Sequence, residues 1–318
     1  MTPAALGKTL NFWDMGLSLN YAESWAAPQF SAAQVVIGTA RPLFDSQKRL
    51  LHPSIALTII DPARQFGLTA DTALPQIALA ALQQKVDVAA QGQSKVAALD
   101  AGFVQATETS TNTFVSSIAF RLPDGRVGLL TGLAPVDQWA DFAPTFEQVR
   151  ASAQLLKAAN YPVPTLTTVL TRYDPGGLLF NAPDGWTSHT TASGLVLADP
   201  AVDQYIDGTG FANGPQLSLL TQAVPTTSGD LHVQFASLIG ATGSDPLQDV
   251  NIGGNPGVMT TSQAPLINQT VTLVGVWSTD RKVITIFRWT APLILSDSLR
   301  PVFLKILGTV RYGPRSGS

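Results

Sequence analysis

Histidine is the side chain that titrates near neutrality and the commonest metal ligand, so the three histidines of this chain come first. His52 precedes Pro53 at the head of an apolar run, His189 lies in a Thr/Ser-rich stretch, and His232 opens a helical segment. No two stand at ligand spacing, which favours solvated or singly hydrogen-bonded histidines over a metal or acid–base role. Asp199, Asp203 and Asp207, followed by Gly208-Thr209-Gly210, place three carboxylates in one turn-rich stretch that could fold around a hard cation. Their spacing is not that of an EF-hand, and the matching stretch of the first half, Arg41 to Leu51, is basic. A surface loop is the better reading. No His-Glu-x-x-His, Walker-type glycine loop or Gly-x-Ser-x-Gly elbow occurs. We therefore assign no catalytic, cofactor or metal residue and expect a non-enzymatic protein.

Six tryptophans are the other conspicuous side chains. Trp25 and Trp186 occupy the same place in an internal repeat, which makes them core closures, and Trp139 opens a helix that packs on a sheet. Trp13, Trp277 and Trp289 have no counterpart in the opposite half. Because tryptophan is enriched at interfaces, these three are the candidate contact residues. Asn268-Gln269-Thr270 matches the glycosylation sequon, a match that matters only in a eukaryotic secreted protein.

Charged residues make up 13% of the 318, about half the usual share of roughly 25%. Such a surface repels other proteins weakly and suits a chain packed against a partner or a copy of itself. With a net charge of −3 and no Lys/Arg cluster, nucleic acid is not an expected partner. The absence of cysteine excludes disulfides and thiolate chemistry. No apolar run approaches the roughly 18 residues that span a bilayer. Met1-Thr2-Pro3 reads as a start added to a mature segment, so a removed signal or lipid anchor and an extracytoplasmic location are expected.

The chain repeats itself. Gly16, Asn20, Glu23 and Trp25 align with Gly177, Asn181, Asp184 and Trp186 at an offset of 161 residues, and the run led by Pro53 aligns with that led by Pro215 at 162. Ala134-Pro135 and Pro144-Thr145-Phe146 align with Ala291-Pro292 and Pro301-Val302-Phe303 at 157. Several pairs in order, with a drifting offset, are what loop insertions in a duplicated domain produce.

Each half reads as a hairpin, strands, a helix, more strands and a closing helix. In the first half the hairpin is Thr9–Trp13 with Leu17–Tyr21, strands follow at Gln34–Gly38 and Ile55–Ile60, and the 3–4 spacing of Leu74, Ile77, Ala78, Leu82 and Val86 predicts a helix over 74–86. Strands are expected at 95–99, 102–109, 112–122 and 126–133, with Pro123-Asp124-Gly125 turning the last pair, and a closing helix over 139–156. The second half gives a hairpin at 171–173 and 178–181, strands at 195–198 and 217–221, a helix over 231–239, strands at 257–263, 266–278 and 282–289, and a helix over 297–307. The two prolines of Asn160 to Thr165 read as an extended linker. This divides the chain into residues 1–159, a linker 160–168, and 169–318. The fold class is α+β: two tandem α/β/α sandwiches, each a mostly antiparallel twisted sheet flanked by helices.

The glycine, the alternating strand and the closure Asn181-Ala182-Pro183-Asp184-Gly185-Trp186 resemble the opening of PsbP-like domains. Asn20-Tyr21-Ala22-Glu23-Ser24-Trp25 departs from that pattern in lacking the proline and glycine. The Asp124-Gly125 hairpin, the Ala-Pro strand end and the helix after Pro-x-Phe are similar too, so both halves resemble this family. Its fold is shared by the extrinsic photosystem II subunit, the Ran-binding nuclear import factor and bacterial lipoproteins. The resemblance implies a non-enzymatic binding or scaffold protein, an accessory subunit or assembly factor that docks on a larger complex or on itself. The alternative is a small-molecule or lipid carrier with an apolar pocket between sheet and helix.

Overall fold

A computed structural model describes residues 4–313, apart from 32, 48, 83–84, 123–124, 192–193, 200–213, 225–228, 241–245, 265–267 and 279–280. The chain divides into two compact units, Met1–Leu156 and Lys157–Ser318. Both are α+β and mostly antiparallel. No helix among the described residues is long and apolar enough to cross a membrane.

The first unit runs β1 (Leu6–Phe12), β2 (Leu17–Ala22), β3 (Gln29–Ser31), β4 (Gln34–Gly38), β5 (Ser54–Ile60), α1 (Pro62–Phe66), α2 (Leu74–Ala80), β6 (Val86–Val96), β7 (Leu99–Glu108), β8 (Thr113–Arg121), β9 (Val127–Pro135), α3 (Val136–Ala151) and β10 (Gln154–Leu155). Seven strands form one sheet in the order β3-β4-β5-β9-β8-β7-β6, and β1-β2-β10 form a second. Because side chains alternate along a strand, β5 sends Ile55, Leu57 and Ile59 to one face, where they meet Leu17 and Leu19 of the hairpin and Phe142, Phe146 and Val149 of α3. Ile60, Val104, Ala119 and Leu129 face the other way, onto Ile77 and Ala78 of α2.

The second unit repeats this with β11 (Leu166–Tyr173), β12 (Leu178–Pro183), β13 (Thr187–Thr191), β14 (Gly194–Ala198), β15 (Gln216–Ala223), α4 (Leu231–Ile239), β16 (Gln248–Ile252), β17 (Asn255–Ala264), β18 (Gln269–Trp277), β19 (Val283–Pro292), α5 (Ser296–Thr309) and β20 (Arg311–Tyr312). The sheet order, β13-β14-β15-β19-β18-β17-β16, matches that of the first unit position for position. β11 starts at Leu166, inside the stretch that reads as a linker.

The repeat's anchors have structural reasons. The chain at Asn20 and Asn181 is held by the end of the last helix: the Asn20 backbone N–H donates to Ser152 Oγ at 2.8 Å, and the Asn181 backbone N–H to Thr309 Oγ1 at 3.0 Å. Each hydroxyl in turn donates to a helix carbonyl at 2.7 Å, Val149 in one case and Ile306 in the other. This ties the hairpin to the closing helix in both units. Pro135 and Pro292 end the strands that lead into those helices.

Two helices are shorter than their periodicity suggests. α2 stops at Ala80, yet Leu82 and Val86 still pack on its cluster, from a turn and from the first residue of β6. Burial at 3–4 spacing is therefore met without helix. α3 ends at Ala151, after which Gln154 and Leu155 pair with β2. β6 has no apolar alternation because it is an edge strand with most side chains exposed, which is why its pattern does not announce it.

Candidate functional site

The histidines stay apart. His232 Nε2 lies 2.8 Å from Asp249 Oδ1 at the surface, His52 lies in the loop before β5, and His189 is in β13 rather than in a loop. Among the described residues no group of three or more His, Asp or Glu side chains could hold a metal. Asp199 accepts from the Tyr161 hydroxyl at 2.6 Å; burial, together with that carboxylate, pushes the Tyr161 phenol above its ordinary value. Asp203, Asp207 and the Gly208–Gly210 stretch lie outside the described residues. Asn268 is 5% exposed at a left-handed φ of 56°, so the sequon presents its amide to the interior.

The tryptophans without a counterpart divide. Trp13 and Trp289 are buried, at 4% and 3% exposure, so neither offers the open surface expected of a contact residue. Trp289 stands where the first unit has Gly132: the two pair with Leu217 and Ile55, equivalent residues of β15 and β5. In the first unit Phe146 fills the space over Gly132, where a Cβ would fall 2.8 Å from its ring. In the second, Trp289 stacks between Trp186 and Phe303, with ring centroids at 5.7 and 5.2 Å. Phe303 is the counterpart of Phe146, so the ring from the closing helix is kept in both units, and Trp289 adds a second ring from the strand where the first unit has only Gly132. Trp25 is buried and packs against Phe142; Trp139 stacks on Phe114 at 4.4 Å.

Trp277 is half-buried and lines a cavity of about 530 Å³ with Asp230, Leu231, Asn255, Pro256, Ser278, Arg281 and Tyr312. The Tyr312 hydroxyl donates to the Trp277 carbonyl, and burial pushes its pKa up to about 12. Its phenol is therefore neutral at physiological pH.

A second cavity, of about 440 Å³, lies in the first unit on the α2 side of the sheet, where α1 and α2 leave part of the face uncovered. Its floor is made of small side chains. One rung crosses the sheet as Val36, Ala56, Thr131, Ser117 and Val104. Ser117 and Thr131 hydroxyls lie 3.2 Å apart, and Gln34 Nε2 donates to Thr58 Oγ1 at 3.0 Å. Phe66, Leu82 and Leu133 give the walls apolar surface, and Glu108 stands at one end. The groove can thus accept an apolar group and hydrogen-bond its polar neighbours without a formal charge at its floor.

The equivalent rung of the second unit reads Val196, Ser218, Arg288, Leu273 and Thr260. Arg288 replaces Thr131 and is exposed, with no partner for its guanidinium among the described residues. These groove and rung positions were not anticipated from the sequence. The signal available was a polar residue inside an otherwise apolar strand, Thr131 in one copy and Arg288 in the other.

Helices on both faces of a seven-stranded antiparallel sheet, with a hairpin at the start, define a PsbP-like fold. Solved structures similar to this chain include LpqN of Mycobacterium tuberculosis, described as involved in cell envelope biogenesis, at 16% identity over 47% of this chain and 85% of that one, with a TM-score of 0.33. CyanoP, the PsbP of the cyanobacterium Synechocystis, is 11% identical over 48% of this chain and 95% of its own, with a TM-score of 0.31. TplEi, an immunity protein of Pseudomonas aeruginosa, is 9% identical over 95% of this chain and 96% of its own, with a TM-score of 0.24. No family model and no curated protein matches the sequence. The likeness is one of fold alone.

Proposed function

We propose that this chain is a non-enzymatic binding protein that works outside the cytoplasm as an accessory or scaffold subunit and docks a protein partner in the groove of its first unit. The observation that carries the reading is the half-covered sheet face itself: its floor is Ala56, Ser117 and Thr131, side chains too small to fill the space that α1 and α2 leave. A groove of this volume accommodates one or two large apolar side chains of a partner, while the hydroxyls and Gln34 serve the adjoining backbone. The lightly charged surface and the cysteine-free composition support the same setting. A duplicated second unit offers a further surface on the same chain, and two weak contacts on one chain add avidity.

The test is affinity capture from cells of the source organism with the wild-type chain and with Thr131→Arg, which imports the side chain of the second unit. A partner retained by the first and lost by the second supports the groove; a partner retained equally by both removes it. The Trp277 cavity favours a second reading, a small-molecule carrier. Native mass spectrometry of the purified chain distinguishes it by a discrete added mass that Trp277→Ala abolishes.

A further inference from the structure

The cavity at Trp277 is built from residues that the second unit does not share with the first. Trp277 ends β18 where Arg121 ends β8. The Arg121 guanidinium donates to the Ala70 and Thr72 carbonyls and ties the loop between α1 and α2 to the sheet; Trp277 makes no such tie. Tyr312 likewise stands where the first unit has Leu155, through the equivalent pairs with Leu178 and Leu17. In the turn that follows, Gly125 and Arg281 each donate a backbone N–H to the carbonyl three residues back, Leu122 or Ser278, at 2.9 Å. Both have a left-handed φ, 88° and 54°. Glycine adopts that conformation freely and arginine does not. The second unit therefore holds a guanidinium at a position that favours glycine, and that residue lines the cavity.

The lining carries hydrogen-bonding groups that the protein leaves unused. Asp230 caps α4 with one oxygen, which accepts from the His232 backbone N–H at 2.8 Å; its other oxygen has no partner among the described residues. Asn255 Nδ2 donates to the Ile252 and Gly253 carbonyls, each 3.4 Å away, so its Oδ1 remains open. Neither the Arg281 guanidinium nor the Trp277 indole N–H finds an acceptor among the described residues. Two acceptors and two donors thus line one cavity beside the rings of Trp277 and Tyr312.

The formal charges of the lining residues, Asp230 and Arg281, cancel. A charged ligand would meet a like charge there, and a hydrocarbon would cover these polar groups without pairing them. A ring with hydroxyls at its edge and C–H groups on its faces meets both demands. We infer that this cavity binds a neutral sugar, with a pyranose ring against the aromatic wall and its hydroxyls bonded to Asp230, Asn255, Arg281 and the Trp277 indole N–H. A volume of about 530 Å³ lies within the range of small-molecule sites, roughly 300–1,000 Å³. The inference rests on the carrier reading of this cavity and is independent of the groove.

The test follows the indole N–H resonances of the full chain, with the Trp277 signal assigned from the spectrum of Trp277→Phe, during titration with glucose, galactose, N-acetylglucosamine and maltose. At least one of the four should shift that signal with a millimolar Kd, while cyclohexanol, which lacks the hydroxyls, and glucuronate, which adds a charge, should bind at least about tenfold more weakly. Maltose binding more tightly than glucose marks the end of a glycan chain as the ligand, and the reverse marks a free sugar. Arg281→Gly installs the first unit's residue, so the melting temperature should hold or rise while sugar affinity falls about tenfold. No shift of the Trp277 signal with any of the four sugars overturns the inference, as does binding that is indifferent to Arg281→Gly or that favours glucuronate. A discrete mass carried through purification that is not a saccharide overturns it too, and leaves the carrier reading standing.

Discussion

The two units solve one packing problem in two ways. In each, the middle helix comes down on the sheet where a side chain would be in its path, and in each a glycine on the same rung clears the space. In the first unit the rung is Gly102, Ala119 and Leu129; in the second it is Val258, Gly275 and Ile286. The glycine has moved one strand over. A Cβ on Gly102 would lie 2.3 Å from the Pro75 ring of α2, and one on Gly275 would lie 2.4 Å from the Phe235 ring of α4. The landing point is a property of the fold, and the residue that supplies it is a property of the copy. The neighbouring rung, with Thr131 in one copy and Arg288 in the other, has no such packing demand, and there the two units differ in chemistry.

The largest effects should come from those glycines. Gly102→Ala and Gly275→Ala each force a helix off its sheet and should cost about 2–3 kcal/mol in urea denaturation. Ala119→Gly, which moves the first unit toward the pattern of the second without a clash, should cost about 1 kcal/mol or less. Equal costs for all three would mean that the helices do not land where the rungs place them. Next come the hydroxyl ties shared by both units. Ser152→Ala and Thr309→Val remove the acceptors of the Asn20 and Asn181 backbone N–H groups, at about 1–2 kcal/mol each. Because the two ties are equivalent, their costs should agree; a large gap between them would show that one hairpin is held by other contacts.

The duplicated skeleton was legible in the sequence because it rests on residues whose identity geometry demands. The prolines end strands before helices, and β4 and α4 start and stop where their apolar patterns do. What escaped was decided by three-dimensional neighbours. Leu82 and Val86 have helical spacing but are buried from a turn and a strand. β6 alternates exposed with partly buried positions from Ala90 to Val96, but the inner ones include Ala90, Gly92 and Ser94, so no apolar alternation marks it. Trp289 has no tryptophan partner in the first half because Phe146 lies directly over Gly132 there and leaves no room for a strand side chain, whereas Phe303 stands off far enough for Trp289 to stack between it and Trp186. The groove was invisible for a similar reason, since small residues on a sheet declare a cavity only once the helices beside them are known to stop short.

The divergent rung supplies the sharpest test of the functional half of the comparison. Thr131→Arg should fill the first groove and Arg288→Thr should clear the corresponding face of the second unit. Both lie on partly open surface, so stability should change by no more than about 0.5 kcal/mol. If the groove is the docking site, the first substitution removes partner binding and the second leaves it intact. Loss of binding in Arg288→Thr alone would move the working face to the second unit, with the guanidinium as its anchor.

The smallest effect concerns the loop that joins β4 to β5 in the first unit. In the first unit Asp45 accepts from the Gln47 and Arg49 amides at 2.8 Å each and from Arg49 Nε at 2.8 Å. The Arg49 amide, then its guanidinium, with the Gln47 amide adding to them, hold the Asp45 carboxyl below its ordinary value. A folded-state pKa below the unfolded one means that the contribution to stability is present above the unfolded value, near pH 4, and is lost as pH falls through the lower folded value. The amide resonances of Gln47 and Arg49 should therefore titrate with a midpoint below that of an unperturbed aspartate, and Asp45→Asn should abolish the titration while leaving the sheet unchanged. A midpoint at the ordinary aspartate value would mean that the turn does not hold its carboxylate in solution.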